Sequence, residues 1–425
     1  MPTKEYVLLL GAERFLRERA FSGAKEASGL PVWAATKDAV RDRNRVFDEM
    51  LSADPRDPES LLTAIRARSV RGWHPRVIVP FDDWTVASAD HVNRALGLPG
   101  LDPATVTNTR DKHAMKRALL AAGVRTPRSE LVRSDDELLA AVERIGLPVV
   151  IKPYDFGGSV GVVLAGTREE ALRCLRESKA IVERIRADYR IRGDKYLVEQ
   201  YVDSDNEVSV EVLCGAGRAQ ALAVTEKYLS PPPWFAEVAH LVPSHRAGDR
   251  ALTGLAERTC VALGIDRGIA HVEIKFAADG TAWVIEAAAR PAGDLVMDQV
   301  ERAYSVSPYR LHVGSYLGAD LLDEARDAVP DRSSAIAYLQ APPGRIRDIR
   351  AGERLPPEVR SLSISANRGD LSQVTRNNLT LGEGFIELEW EELFEERTGL
   401  PVDVARTVAD RIFVVGEAAG EASGG

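Results

Sequence analysis

Two stretches of this chain carry residue types whose chemistry depends on their spacing. The first is Val149-Val150-Ile151-Lys152-Pro153, followed by Phe156-Gly157-Gly158-Ser159-Val160-Gly161-Val162. Three glycines and a serine on a turn expose backbone N–H groups and leave room for anionic oxygens to approach. A lysine entering that turn adds a full positive charge. No Gly-Lys-Ser/Thr follows, and Val160–Ala165 reads as a strand rather than a helix, so this is not a P-loop. Two readings stand: a hairpin flap over phosphates, or an ordinary glycine-rich turn with an edge-strand lysine.

The second stretch pairs two acids. His271–Phe276 and Thr281–Glu286 flank Asp279-Gly280, the preferred two-residue hairpin turn. In that register residue 278 faces 281, and Glu273 faces Glu286 with β-carbons about 4.5–5.5 Å apart. Opposed carboxylates repel, so the pair needs either full solvation or a cation. Beside phosphates, hard oxygen ligands of this kind suit Mg²⁺, which takes one or two carboxylates plus nucleotide oxygens. The hairpin runs into Glu286-Ala287-Ala288-Ala289-Arg290, and an Arg there is positioned to clamp a phosphoryl or carboxylate group.

Weaker signals lie between and before these. Glu199-Gln200-Tyr201-Val202 reads as a strand end followed by a polar bend and Glu207. Such an end offers N–H and C=O groups to a base edge and a carboxylate to ribose hydroxyls, or it is a solvated turn. Only ten of the 55 basic residues are lysines, so Lys112, Lys152 and Lys227 stand out as compact charges in an arginine-rich chain.

The elements that must carry these residues follow from pattern. Tyr6–Leu10 and Arg76–Pro80 read as buried parallel strands and Trp84–Leu96 as a helix. A helix is expected from Thr107, capped by Asn108 or Thr109 and ended by Gly123, and a second over Ser134–Ile145 with Ser134 and Glu137 as a capping box. Helices are expected near Glu169–Ala187 and over Arg250–Leu263, with strands at Tyr196–Val202, Glu207–Leu213 and Ala219–Tyr228. From Ser333 the chain mixes strands with one helical pattern at Asp403–Ile412, and Gly416–Gly425 reads as a frayed tail.

Composition narrows the partners. The 425 residues carry a net charge of −9 with no basic block, which argues against nucleic acid and for small molecules. Three scattered cysteines make neither a disulfide framework nor a zinc spacing. No apolar run reaches membrane-span length, and the Val7–Leu10 stretch is too short for a signal peptide, so the expected location is the cytoplasm.

Taken in order, these pieces resemble the ATP-grasp superfamily over roughly Leu98–Leu317. The resemblance implies an α/β and α+β architecture with an N-terminal Rossmann-like lobe and a C-terminal β-rich subdomain. The expected divisions are 1–106, lobe A at 107–195 with the flap, lobe B at 196–330, and 331–425. It implies that Lys112 and Lys152 hold ATP phosphates under Gly157, Gly158, Ser159 and Gly161. Glu199, Gln200 and Val202 would read adenine, Glu207 the ribose, and Lys227 the phosphates from the far lobe. Glu273 and Glu286 would hold one or two Mg²⁺ ions, with Mn²⁺ an alternative, and Arg290 would face the reacting group. Within the superfamily, Val79-Pro80-Phe81-Asp82-Asp83 and Glu237-Val238-Ala239-His240-Leu241-Val242-Pro243-Ser244 look most like bacterial L-amino acid ligases. That likeness places His240 in an amino acid pocket. It implies amide formation from a carboxylate and an amine through an acyl phosphate, and admits a homodimer. The family's usual Asn two residues after the second acid is Ala288 here, which keeps open a nucleotide-binding protein without turnover. A carboxylase using bicarbonate is the rival enzyme; Ala114-Met115-Lys116 resembles the biotin-attachment tripeptide but falls in a helix pattern.

Overall fold

The computed structural model describes residues 4–12, 17–37, 46–189, 191–376 and 382–416. The chain opens with β1 (Lys4–Leu10), α1 (Arg19–Ser28), β2 (Val32–Thr36), β3 (Glu49–Ser52), α2 (Pro58–Ser69), β4 (Trp73–Pro80) and α3 (Val86–Ala95). The four strands form a parallel sheet in the order β3-β2-β1-β4. The continuous apolar run of β1 is explained by burial on both faces: Val7 and Leu9 enter one core, and Tyr6, Leu8 and Leu10 the other.

Next come α4 (Pro103–Arg110), α5 (Lys112–Ala121), β5 (Ser129–Val132), α6 (Asp135–Ile145), β6 (Val149–Pro153), β7 (Val163–Ala165), α7 (Arg168–Tyr189) and β8 (Tyr196–Gln200). The single helix expected from Thr107 is two helices. Asp111 is extended (φ −99°, ψ 107°), closes α4, and caps α5 by accepting from the N–H groups of His113 and Ala114. Of the capping box expected at Ser134 and Glu137, the cap is present, with Ser134 Oγ accepting from Glu137 N, while Glu137 Oε2 accepts from Arg133 N, one residue before the cap. Strands β5-β8-β6-β7 form an antiparallel sheet. The strand expected at Val160–Ala165 begins only at Val163, because the glycines lengthen the connection from Tyr154 to Val162.

The rest comprises β9 (Glu207–Gly215), β10 (Arg218–Leu229), β11 (Glu237–Val242), α8 (Arg250–Leu263), β12 (Arg267–Phe276), β13 (Ala282–Ala288), α9 (Val296–Tyr304), α10 (Pro308–Tyr316) and α11 (Leu322–Asp327). They are followed by β14 (Ser333–Leu339), β15 (Gly344–Ile349), β16 (Val359–Ile364), β17 (Leu371–Ser372), β18 (Gly384–Trp390), α12 (Leu400–Ile412) and β19 (Phe413–Gly416). Eight of these strands make one antiparallel sheet, β13-β12-β9-β10-β11-β14-β18-β16. That sheet runs through the boundary expected at 330, because β11 pairs with β14. The segment Glu237–Ser244 holds β11, whose residues Ala239 and Leu241 pack into the core under α12. Most of the expected tail, residues 417–425, lies outside the described residues. Among the described residues no helix is long and apolar enough to cross a membrane.

Candidate active site

One strand of the four-stranded antiparallel sheet and one helix present lysines to a common cleft. On α5, Lys112, Met115, Lys116 and Leu119 form a buried stripe at i, i+3, i+4 and i+7. Breaking the helix at Asp111 puts Lys112 in its first position, where its N–H donates to the Tyr154 carbonyl at 3.0 Å. The Lys112 ammonium donates to Phe156 O (2.5 Å) and to Glu286 Oε1 (2.8 Å). On β6 and β8, Lys152 faces Leu197 and Val150 faces Glu199, so Lys152 and Glu199 are diagonal neighbours on one face. Glu199 binds Lys152 at 2.9 Å and Lys116 at 3.1 Å. Burial pushes its carboxyl up, but the two ammoniums outweigh burial and hold it below the usual carboxylate range. Burial drives Lys116 down to about 8 against the pull of Glu199, whereas for Lys152 Glu199 and Glu286 outweigh burial and raise it.

The connection from Tyr154 to Val162 lies over these lysines. Ser159 takes a left-handed conformation (φ 55°) and its hydroxyl donates to Phe235 O at 2.8 Å, while Leu164 N donates to Pro233 O at 3.0 Å. The flap is therefore latched to the segment before β11. Gly161 (φ 73°) serves the flap's seating instead. A Cβ there would lie 2.7 Å from Ser178 Oγ, so the glycine lets the flap rest on α7. It does not line the cleft.

The acids come from the large sheet. Glu273 does face Glu286, but by another route than a two-residue turn. Ala277 pairs with Thr281 around a three-residue loop in which Gly280 is left-handed (φ 79°). This shifts the register by one, and a bulge at Ile285 shifts it back before the acids. The bulge leaves both Ile285 and Glu286 lining the cleft and turns the Ile285 carbonyl toward Lys116 Nζ, 2.9 Å away. Across the sheet, Lys275, Glu207, Lys227 and His240 stand in one row on β12, β9, β10 and β11. The neighbouring row holds Glu273 and Ser209, and the next His271 and Glu211. The apolar partners Val208, Val210, Val212, Val272 and Ile274 point into the core on the other side.

Lys227 is buried under this face. It contacts Glu237 at 2.6 Å, Glu273 at 2.7 Å and Glu207 at 3.3 Å. Burial opposes its charge, yet the three carboxylates hold its titration well above the usual lysine range. Burial likewise opposes ionisation of Glu273, and Lys227 with His271 holds that carboxyl well below its usual range. His271 lies 2.8 Å from Glu211 and 3.4 Å from Glu273; burial disfavours its charged form, but these acids raise it to about 9.

Arg290 is fixed from the N-terminal lobe. Asp83 accepts from its Nε at 2.9 Å and from its Nη2 at 2.6 Å, and also pairs with Arg110 at 3.0 Å. Burial pushes Asp83 up, but Arg290 and Arg110 keep its carboxyl below the usual range.

One cavity of about 120 Å³ gathers Lys112, Lys152, Gly157, Gly158, Ser159, Glu199, Gln200, Val202, Glu207, Glu273, Glu286 and Arg290. Three expected members stand outside its lining: Gly161, Lys227 and His240. Lys227 lies beneath the floor, screened by Glu207, Glu237 and Glu273. His240 lies one strand over, 3.2 Å from Glu237. At about 120 Å³ this cavity is smaller than the roughly 300–1,000 Å³ of pockets for drug-sized ligands. Residues not assigned from sequence also serve the site: Lys116, Asp83, Glu237, His271 and Lys275. The signal for Lys116 was its i+4 spacing from Lys112 on an amphipathic helix. For Glu211, His271 and Lys275 it was strict alternation with valine and isoleucine. Asp83 lies in the Val79–Asp83 stretch noted in the sequence, but nothing local points to its partner Arg290, 207 residues away.

Residues 145–299 match the family profile described as an ATP-grasp domain. Over 236 residues the chain is 28% identical to alanine–anticapsin ligase of Bacillus subtilis (strain 168), covering 51% of this chain and 48% of that protein. It is 30% identical over 210 residues to D-alanine–D-alanine ligase of Bordetella petrii, covering 46% and 60%. The chain thus spans about half the length of the curated relatives it matches. The solved structure of an L-amino acid ligase from Bacillus licheniformis superposes with a TM-score of 0.75 at 19% identity, covering 98% of this chain and 99% of that one. The fold is ATP-grasp, as the order of motifs implied.

Proposed function

We propose that this chain, which carries an ATP-grasp domain, is a cytoplasmic ATP-dependent ligase that joins the carboxylate of one amino acid to the amine of another. The carrying observation is that the cleft of lysines and opposed acids opens, at Arg290, Glu237 and Glu273, into a second cavity. An acyl group and an amine can therefore meet at the inner end of a phosphate-binding cleft. The similarity to alanine–anticapsin and D-alanine–D-alanine ligases supports the same reading.

In this reading Lys112, Lys152 and the N–H groups of Gly157–Ser159 hold the triphosphate. A substrate carboxylate oxygen attacks the γ-phosphorus, the bond to the β-phosphate bridge breaks, and ADP leaves. The acyl phosphate lies beside Arg290, whose orientation is set by Asp83. A neutral amine then attacks the acyl carbon, a C–N bond forms, the C–O bond to phosphate breaks, and the nitrogen releases a proton. Rate comes from positioning and charge neutralisation, with no protein nucleophile. The flap keeps water from the acyl phosphate.

Glu273 and Glu286 fit Mg²⁺: both are carboxylates, they face each other across β12 and β13, and both line the cleft. Bound there, the ion would neutralise phosphate charge. Ala288, buried opposite His271, offers no side-chain oxygen, so from this hairpin Glu273 and Glu286 would hold the metal.

The test is ADP release over pairs of amino acids, with amide products identified by mass spectrometry. Amide formation that disappears in Lys152→Ala, with the fold intact, supports the ligase. Bicarbonate-dependent ADP release, or ATP binding with no turnover under any pair, overturns it.

A further inference from the structure

Beyond Arg290 the cleft opens into a cavity of about 550 Å³. Phe156, Gly157, Gly158, Glu237, Glu273 and Arg290 line both spaces, so they meet under the flap. An acyl phosphate at this junction has its phosphate toward the cleft. The side of its carbonyl left open to attack faces the larger chamber.

Five aromatic side chains line that chamber, beside a charged end made by Asp82, Asp83, Glu237, His271, Glu273 and Arg290. On one side Trp84, Phe156 and Tyr189 pack together, with ring centroids 4.7–5.8 Å apart. Arg56 lies over the Trp84 and Tyr189 rings at 5.8 and 5.1 Å and ties the N-terminal lobe to this cluster. On the other side the large sheet supplies a row: Tyr338 on β14 faces Phe385 on β18, which faces Ser363 on β16. The two rings are edge-on with centroids 6.4 Å apart. The small Ser363 ends the row on the edge strand and leaves the space beside Phe385 open. Charges of both signs also line it: Arg17, whose charge acts on Asp294, and the acids Asp294 and Glu237.

We infer that this chamber receives the amine substrate, and that it takes an α-amino acid with a large aromatic side chain in preference to glycine or alanine. The inference rests on the ligase reading above. Five rings bury a flat apolar side chain, and its zwitterionic head finds acids for the ammonium and Arg17 for the carboxylate. Glycine or alanine would leave most of the space to water.

The experiment uses the full chain with ATP and Mg²⁺, one acyl donor found active, and phenylalanine, tyrosine, tryptophan, alanine or glycine as amine. The aromatic amines are expected to show at least tenfold higher kcat/KM for amide formation. Ser363→Trp fills the chamber without touching the nucleotide cleft. It should cut kcat/KM for aromatic amines at least tenfold, spare alanine and glycine, and leave the Kd of a non-hydrolysable ATP analogue unchanged. Phe385→Leu, a milder change, should weaken the aromatic preference in the same direction. Amide formation that favours alanine or glycine in the parent chain, or variants that slow every amine equally, overturns the inference. No amide with any amine is instead the failure of the ligase reading.

Discussion

Replacing Glu199 by Gln removes one carboxylate and strands two ammoniums. Glu199 is 3% exposed, Lys116 2% and Lys152 4%, and both lysines lie within 3.1 Å of it. Breaking a buried pair by deleting one partner costs about 3–5 kcal/mol, because a charge remains without water or counterion. With a urea slope of about 3 kcal/mol/M, that is a fall in midpoint of about 1–2 M. Lys116 already titrates near 8 with Glu199 present, so its own charge is expensive to bury. Lys116→Met should therefore be tolerated, within about 1 kcal/mol, since Glu199 keeps Lys152. Combining the two substitutions should recover at least about 1 kcal/mol of the Glu199→Gln loss, a coupling typical of contacting charges. Urea unfolding followed by far-UV circular dichroism measures all three variants. A midpoint shift below about 0.3 M for Glu199→Gln, or a double variant as unstable as the sum of the singles, refutes the idea that one buried carboxylate carries both lysines.

Asp83→Asn keeps the shape beside Arg290 but removes its counter-charge, and should lower kcat about 10–100-fold with little change in the KM for ATP, since misplaced catalytic groups cost on that scale; an unchanged kcat excludes Asp83 as the positioning residue. Ser159→Ala removes one flap hydrogen bond worth about 1 kcal/mol, so amine-independent ATP hydrolysis should rise about fivefold relative to amide formation in a phosphate-release assay. His312 accepts from Ile269 N and donates to Pro80 O deep between the lobes, and burial lowers it to about 4 from an ordinary 6.5. The unfolded chain then binds a proton that the folded one refuses between pH 6.5 and 4. Stability from this site is complete above 6.5 and falls by about 3 kcal/mol on acidification to 4. A His312→Gln variant should lose that part of the acid slope in urea midpoints measured from pH 7 to 5, and an unchanged slope counts against it.

The legible part of the site was the part set by short-range geometry. Alternation in β9 and β12 separates Glu207, Ser209, Glu211, His271, Glu273 and Lys275 from the core valines and isoleucines, whatever lies beyond the sheet. The opposition of Glu273 and Glu286 was legible although the turn was not, because the shift at Gly280 and the bulge at Ile285 cancel. The glycines around Ser159 and the lysine before them were readable as a flap, since backbone freedom is a property of the residues themselves.

What remained for the tertiary structure is contact between distant segments. Asp83 and Arg290 meet across 207 residues, and Lys116 reaches Glu199 across 83. Neither pairing has a sequence spacing, because packing of separate lobes decides it. The same holds for β11, whose mixed run Glu237–Val242 becomes a central strand only because β10 and β14 flank it. Covalent spacing along strands and helices determines which side chains share a face, and from sequence alone that determined the kind of chemistry on offer. Which faces meet, how far Lys227 sinks beneath its carboxylates, and how large a chamber opens beyond Arg290 depend on long-range burial. No local pattern encodes that burial, and only the folded chain decided it.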